Sequence, residues 1–230
     1  MQQLGLTFLK SGPAGSRGGA RVGAGRKRLP AGQRHTSHRA RPKHRATHPV
    51  HVTLRAGVRS LRSQQVARTV LGALRDSHRE GFRIAHYSVQ DNHLHLIVEA
   101  RDTTLLSSAV RGLAIRVALR VNRLLFRRGR FWADRWHGHT LTTPREVRNA
   151  LRYVLQNHRK HRVYLSPETG RPALTLDPLS SAEWFDGFAD PLPFRFRSTG
   201  PPCIALPTTW LLRVGWRRHG LIRISESPLS

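Results

Sequence analysis

The run Asn92-His93-Leu94-His95-Leu96-Ile97-Val98-Glu99 narrows the choice of backbone more than any other part of this chain. Side chains alternate between the faces of a strand, so an extended conformation puts His93 and His95 on one side and sends Leu94, Leu96 and Val98 into a core on the other. Phe82 to Val89 reads as a preceding strand and Gln90-Asp91-Asn92 as the tight turn between them. The result is a hairpin carrying two imidazoles side by side near its turn, which is half of a metal site. The His-x-His pattern alone is a weak signal. With 14 histidines in 230 residues, about one such pair arises from composition, and a second copy stands at His137-Gly138-His139.

The segments around the hairpin set the fold class. Val50, Val52 and Leu54 alternate with polar residues as in a half-buried strand. Val66, Val70, Ala73 and Leu74 recur at helical spacing, with Gly81 placed as a C-terminal cap. Leu106, Val110, Leu113, Val117, Val121 and Leu124 mark one long helix. Phe131 to Thr140 reads as an irregular, aromatic-rich strand. Thr143-Pro144-Arg145-Glu146 then combines a Thr cap, Pro at the first helical position and Glu three residues after the cap, starting a helix expected to run to about His161. The order strand, helix, strand, strand, helix, strand, helix predicts an α+β, ferredoxin-like or RNA-recognition-like sandwich with an antiparallel sheet and an added C-terminal helix.

That domain is expected over 48–161. Residues 1–47 have almost no large apolar side chains after Leu9 and are expected to form a disordered basic arm, and His35, His38, His44 and His48 are not expected to be ligands. Residues 162–230 are read as an extension. Its 162–193 part, which holds Glu168, Asp177, Glu183, Asp186 and Asp190, is expected to be a surface excursion, and Thr209 to Ile222 one more amphipathic basic helix.

Forty Lys and Arg against thirteen Asp and Glu give a formal charge of +27, an excess that points to a polyanionic partner, nucleic acid first. Only Lys10, Lys27, Lys43 and Lys160 are lysines, so the charge sits on guanidinium groups, which grip phosphate as a fork and stack on bases. Arg116, Arg120 and Arg123 share a helix face that can follow a phosphate backbone. Trp132 and Trp136 beside Arg135 offer stacking surfaces. His137 and His139 rival the first histidine pair as metal ligands, but Gly138 gives their segment no core anchor, so they are assigned to DNA contact or structure. Cys203 is the single cysteine, which excludes an intrachain disulfide framework and a cysteine zinc cage and fits a reducing compartment. No window approaches the ~18 apolar residues of a membrane span, and the first residues are too weakly apolar for a signal peptide. The expected location is the cytoplasm, alongside nucleic acid, with no membrane partner.

On the capped helix, at about 100° per residue, Val147, Ala150, Leu151, Val154 and His158 cluster on one side and Tyr153 lies roughly 140° from their middle. Tyr153 therefore reads as an exposed tyrosine rather than a core one, with Asn157 one turn on as its exposed neighbour. A phenol of pKa about 10 attacks a phosphodiester at neutral pH only with a cation to polarise the phosphate and stabilise the leaving alkoxide. His93 and His95 are suited to hold that cation, with Asn157 as an oxygen ligand.

Tyr87 to Val98, followed by Leu151-Arg152-Tyr153-Val154-Leu155-Gln156-Asn157, resembles the single-tyrosine HUH transposases, in particular the bacterial REP-associated tyrosine transposases. The resemblance spans Pro49 to His161. It implies Mg²⁺ or Mn²⁺ at His93 and His95, completed by Asn157, and attack by Tyr153 on single-stranded DNA, giving a 5′-phosphotyrosyl link and a free 3′-hydroxyl at hairpin-containing repeats. The turn Asp91-Asn92 departs from the Pro-Asn or Gly-Asn common in that family. Two further readings stand beside it: a domesticated or inactive hairpin-binding protein, and the replication initiators and relaxases that use the same histidine pair. Whether the site is built from one chain or from a homodimer is left open by the sequence.

Overall fold

A computed structural model describes residues 43–158, 176–191 and 202–226. Strands β1 (Val50–Arg55), β2 (Phe82–Val89), β3 (His93–Ala100) and β4 (His137–Thr140) form one antiparallel sheet in the order β2-β3-β1-β4. With α1 (Gln64–Arg75) between β1 and β2 and α2 (Thr103–Leu124) between β3 and β4, this is the ferredoxin-like topology. The hairpin β2-β3 falls at the expected residues, because alternation and turn chemistry are both local signals.

The sheet is buried on both faces. Val50, Val52 and Leu54, together with Leu94, Leu96 and Val98, pack against Val66, Val70 and Leu74 of α1 and Val110, Leu113 and Val117 of α2. The opposite face presents Ala85 and Ile97 to α3 (Pro144–Gln156). In β2 the core residues are spaced Phe82, Ile84, Tyr87, Val89, which strict alternation cannot satisfy. A β-bulge between Ile84 and His86 absorbs the extra residue and keeps Tyr87 and Val89 on the α1/α2 side.

Several local expectations shift. Helix α1 stops at Arg75 with Asp76 as its cap, and the Ser77 hydroxyl donates to the Ala73 carbonyl at 2.6 Å. Gly81 serves the next turn instead: its φ is +70°, and an added Cβ would lie 2.8 Å from the Leu105 side chain. Helix α3 starts on the expected capping box, with Glu146 N–H donating to Thr143 Oγ1, but ends at Gln156. Residues 159–161, to which it was expected to run, lie outside the described residues. So do 1–42 of the basic arm, although the arm's last residues are already held: His44 N–H donates to Thr103 Oγ1 and its ring contacts the Ala100 carbonyl at 2.8 Å.

The C-terminal extension departs furthest from expectation. Where it is described it is core, not a surface excursion: Leu176, Ala182, Phe185, Leu211, Leu212, Trp216, Ile222 and Ile224 bury against the outer side of α3. Its acids anchor it. Asp177, fully buried, takes both amino groups of Arg62 at 2.8 and 2.6 Å, and Asp190 accepts from Ile224 N–H. Glu168 lies outside the described residues. Glu99 of β3 holds the other end, its two carboxylate oxygens accepting from the backbone N–H and hydroxyl of both Thr208 and Thr209. The expected helix over Thr209–Ile222 is two short pieces, α4 (Trp210–Arg213) and a 3-10 turn over Gly215–His219. No helix among the described residues is long and apolar enough to cross a membrane.

Candidate active site

The face of the sheet turned toward α3 carries histidines on all four strands, with His86 of β2 set against Phe185. In β1, His51, Thr53 and Arg55 point this way. Thr53 lies opposite His95, Arg55 opposite His93, and on the other side His51 opposite His139 and Thr53 opposite His137. Five imidazoles from β1, β3 and β4 therefore share one face. Tyr153 enters it from α3: its ring sits edge-on to His95 at a centroid distance of 5.2 Å and to His51 at 5.6 Å. His93 and His95 stack at 5.9 Å. Sequence reading brought His93, His95, Tyr153 and Asn157 together, and all four line one cavity of about 760 Å³. A single chain supplies all of them.

Tyr153 and Asn157 are not exposed, as helical spacing alone suggested. Tyr153 is half-buried and Asn157 is 2% exposed. The reason is that α3 is covered on two sides. Leu155 and Gln156 meet the C-terminal extension, with Gln156 Nε2 donating to the Arg223 carbonyl, while Tyr153 and Asn157 flank the apolar stripe on its other edge, toward the histidines. Arg148 and Arg152 lock the outer side onto Glu226.

Burial pushes the Tyr153 phenol above its ordinary pKa, and a hydrogen bond from Asn157 works against that rise. The same carboxamide leaves Oδ1 buried without a hydrogen-bond partner among the described residues. Such an orphan acceptor is costly unless something binds it. The histidines are oriented through Nδ1: His93 donates to Asn92 Oδ1 at 2.7 Å, and His95 Nδ1 meets Thr53 Oγ1 at 3.2 Å. The His93 contact makes Nε2 the basic nitrogen of that ring, because a carboxamide oxygen can only accept. Two oriented imidazoles and an unsatisfied carboxamide oxygen fit a divalent cation that takes mixed nitrogen and oxygen ligands. Among the described residues no group of three or more His, Cys, Asp or Glu side chains is gathered to hold a metal.

Sequence reading did not single out His51. Burial, with His139 as a lesser cause, lowers its pKa to about 4, so it is a neutral wall of the site at physiological pH. Its place on the outward phase of β1 was readable; its register against β3 was not.

The other sequence candidates sit elsewhere. Arg116 donates to Ser77 Oγ at 2.7 Å and Arg120 pairs with Asp76 at 2.6 Å, both tying α2 to the end of α1 on the sheet face away from Tyr153. Arg123 is exposed near the end of α2. Trp132 is a packing residue rather than a free stacking surface: its indole N–H donates to the Ala114 carbonyl at 2.8 Å and its ring meets Phe131. Trp136 lies over Gly138, where a Cβ would come within 2.6 Å of its ring, so the glycine of His137-Gly138-His139 is the space that the indole fills. Arg135, His137 and His139 are exposed.

The ferredoxin-like sheet thus carries a histidine pair on a central strand, faced by a tyrosine on a separate helix. The sequence profile of the family described as transposase, IS200-like, matches residues 47–157, which ends on Asn157. Over these residues the chain is similar to the IS200-like transposases. Among solved structures, a REP-associated tyrosine transposase bound to a REP hairpin is similar over 55% of this chain and 74% of that one, at 19% identity and a TM-score of 0.42. Among curated proteins, none matches.

Proposed function

We propose that the domain is a metal-dependent single-strand DNA transposase of the REP-associated kind, acting at hairpin-forming repeats through a 5′-phosphotyrosine. Tyr153 is the nucleophile, and His93, His95 and Asn157 hold Mg²⁺ or Mn²⁺. The observation that carries this reading is the meeting of Tyr153 with His95 at 5.2 Å in a cavity that also contains His93 and the unsatisfied Asn157 oxygen.

Attack by the Tyr153 oxygen on phosphorus forms the tyrosyl ester and breaks the bond to the 3′ oxygen, which leaves as a hydroxyl once protonated. A bound cation supplies the positive charge that polarises the phosphate and stabilises that leaving oxygen. Asn157 favours the ionised phenol through its hydrogen bond, and His95 and His51 fix the plane of the ring. Rejoining is the reverse: a 3′-hydroxyl attacks the tyrosyl phosphate and returns the phenol, with one phosphodiester broken for each one formed.

The test is covalent capture. Single-stranded oligonucleotides tiling the DNA that flanks the gene are incubated with the protein, with and without Mn²⁺, and resolved under denaturing conditions. A metal-dependent protein-DNA adduct is expected. Tight binding without any adduct would replace the enzyme with an inactive hairpin-binding protein.

A further inference from the structure

Several arginines whose surroundings are described are occupied. Arg62 is buried on Asp177, Arg148 and Arg152 hold Glu226, Arg116 and Arg120 brace α1 against α2, and Arg130 caps the Trp132 and Ala133 carbonyls. Two are different. Arg55 and Arg59 line the same cavity as Tyr153, His93, His95 and Asn157, are exposed, and form no ion pair among the described residues. The one carboxylate in that lining, Asp91, has its Oδ1 taken by the Ser60 hydroxyl at 2.9 Å.

The segment that presents them is built to stay in place. Ala56 N–H donates to the Asn92 carbonyl, Gly57 N–H to the Phe131 carbonyl and Leu61 N–H to the Asp91 carbonyl, at 2.8, 2.7 and 2.6 Å. Ala56 and Leu61 are buried, Val58 packs on the core, and Arg62 ends the loop in its buried ion pair. Within this pinned loop the residues left pointing outward are Gly57 and Arg59. Arg55 is the last residue of β1 and lies directly opposite His93 on the face that Tyr153 meets. A strand end and a pinned loop that hold two guanidiniums beside Tyr153 have the form of an anion clamp, since a guanidinium fork matches two oxygens of a phosphate.

We infer that Arg55 and Arg59 are the phosphate-holding residues of this site, Arg55 on the phosphodiester attacked by Tyr153 and Arg59 on its neighbour along the strand. The inference rests on the transposase reading for the identity of the reaction, but not for the anion. Arg55, placed against the charge that grows on the reacting phosphate, acts on the rate. Arg59, holding a phosphate that does not change, acts on binding.

The experiment measures single-turnover adduct formation with Mn²⁺ on an oligonucleotide that the wild-type chain cleaves, together with Mn²⁺ affinity by electron paramagnetic resonance. Arg55→Ala should lower the single-turnover rate constant by about a hundredfold or more, with Mn²⁺ affinity unchanged and partial recovery in Arg55→Lys. Arg59→Ala should raise the half-saturating DNA concentration and leave the rate constant within about threefold. Arg68→Ala, an exposed arginine on α1, is the control for loss of charge alone and should change neither. Cleavage by both cavity variants within twofold of wild type would overturn the inference, and so would a loss in Arg55→Ala that follows lost Mn²⁺ binding. If the wild-type chain forms no adduct at all, the reaction assignment fails while the clamp is still judged, on the trinucleotide d(TpTpT). The double variant should bind it at least tenfold more weakly than Arg68→Ala, and equal binding would sink the clamp as well.

Discussion

The Tyr153 ring stands perpendicular to the His95 imidazole, at 89° and 5.2 Å, although 58 residues and two further elements separate them in the chain. Under the proposed reaction, that contact sets where a phosphate must lie to be attacked. Tyr153→Phe keeps the ring and removes only the nucleophilic oxygen, so covalent capture should vanish while affinity for single-stranded DNA stays within about twofold. A denaturing gel and a binding titration on the same preparation check both halves.

Replacing His93 and His95 by Ala should abolish adduct formation and Mn²⁺ binding together, because Asn157 alone is too weak a ligand to keep the ion. His137→Ala with His139→Ala leaves the cavity lining intact and should retain metal binding. Titration of both double variants with Mn²⁺ decides between the pairs, and the opposite pattern would move the metal to β4.

Asp177→Asn removes one charge from the buried Arg62 pair and leaves a guanidinium without its counter-ion. Breaking such a pair costs about 3–5 kcal/mol. The urea midpoint should fall accordingly and circular dichroism should show earlier unfolding. An unchanged midpoint would mean that the extension contributes little to the domain.

Partial burial raises the Glu226 carboxyl, but hydrogen bonds from Arg148, the Arg223 backbone and Arg152 outweigh it and hold the group below the usual carboxylate range. A depressed folded-state value adds stability that is fully present above the unfolded pKa and is lost as pH falls through the folded one. Glu226→Gln should therefore lower the melting temperature at pH 7 and narrow its gap from wild type as pH drops below about 4. A gap that stays constant on acidification would remove Glu226 as the cause.

The +27 charge ensures nonspecific binding at low salt, with log affinity falling by about 0.7 to 0.9 per released counterion. At raised salt, a single strand with a short hairpin should outcompete the same sequence as duplex, since only a flexible backbone bends into the cavity beside Tyr153. Removing residues 1–42 should weaken binding to both without altering the preference. Competition by fluorescence anisotropy reads this directly, and equal competition by duplex at every salt concentration would favour a general basic DNA-binding protein.

What could be read in the sequence was local. The Phe82–Ala100 hairpin, the Thr143 capping box and the order of elements rest on periods and caps a few residues long, and they appear at the expected positions. The facing of Tyr153 was misread because its helix has two buried sides, and the second is supplied by Leu211, Trp216 and Ile224, some sixty to seventy residues later. Trp132 looked like a free aromatic because its partner, the Ala114 carbonyl, lies on another element. Arg116 and Arg120 looked like a DNA stripe because Ser77 and Asp76 gave no sign that they would meet them. Arg55 and Arg59 carried no motif at all; only the register with His93 and the pinning of the loop distinguish them from the other arginines.

One Tyr153 per chain also sets a stoichiometry for the proposed reaction. One phenol can hold one 5′ end at a time, whereas moving a DNA segment from one place to another requires four ends to be made and paired. Under the proposed chemistry each chain is therefore a single-ended tool, and any complete transfer must recruit further copies to the same DNA or pass through successive rounds of capture and release by one.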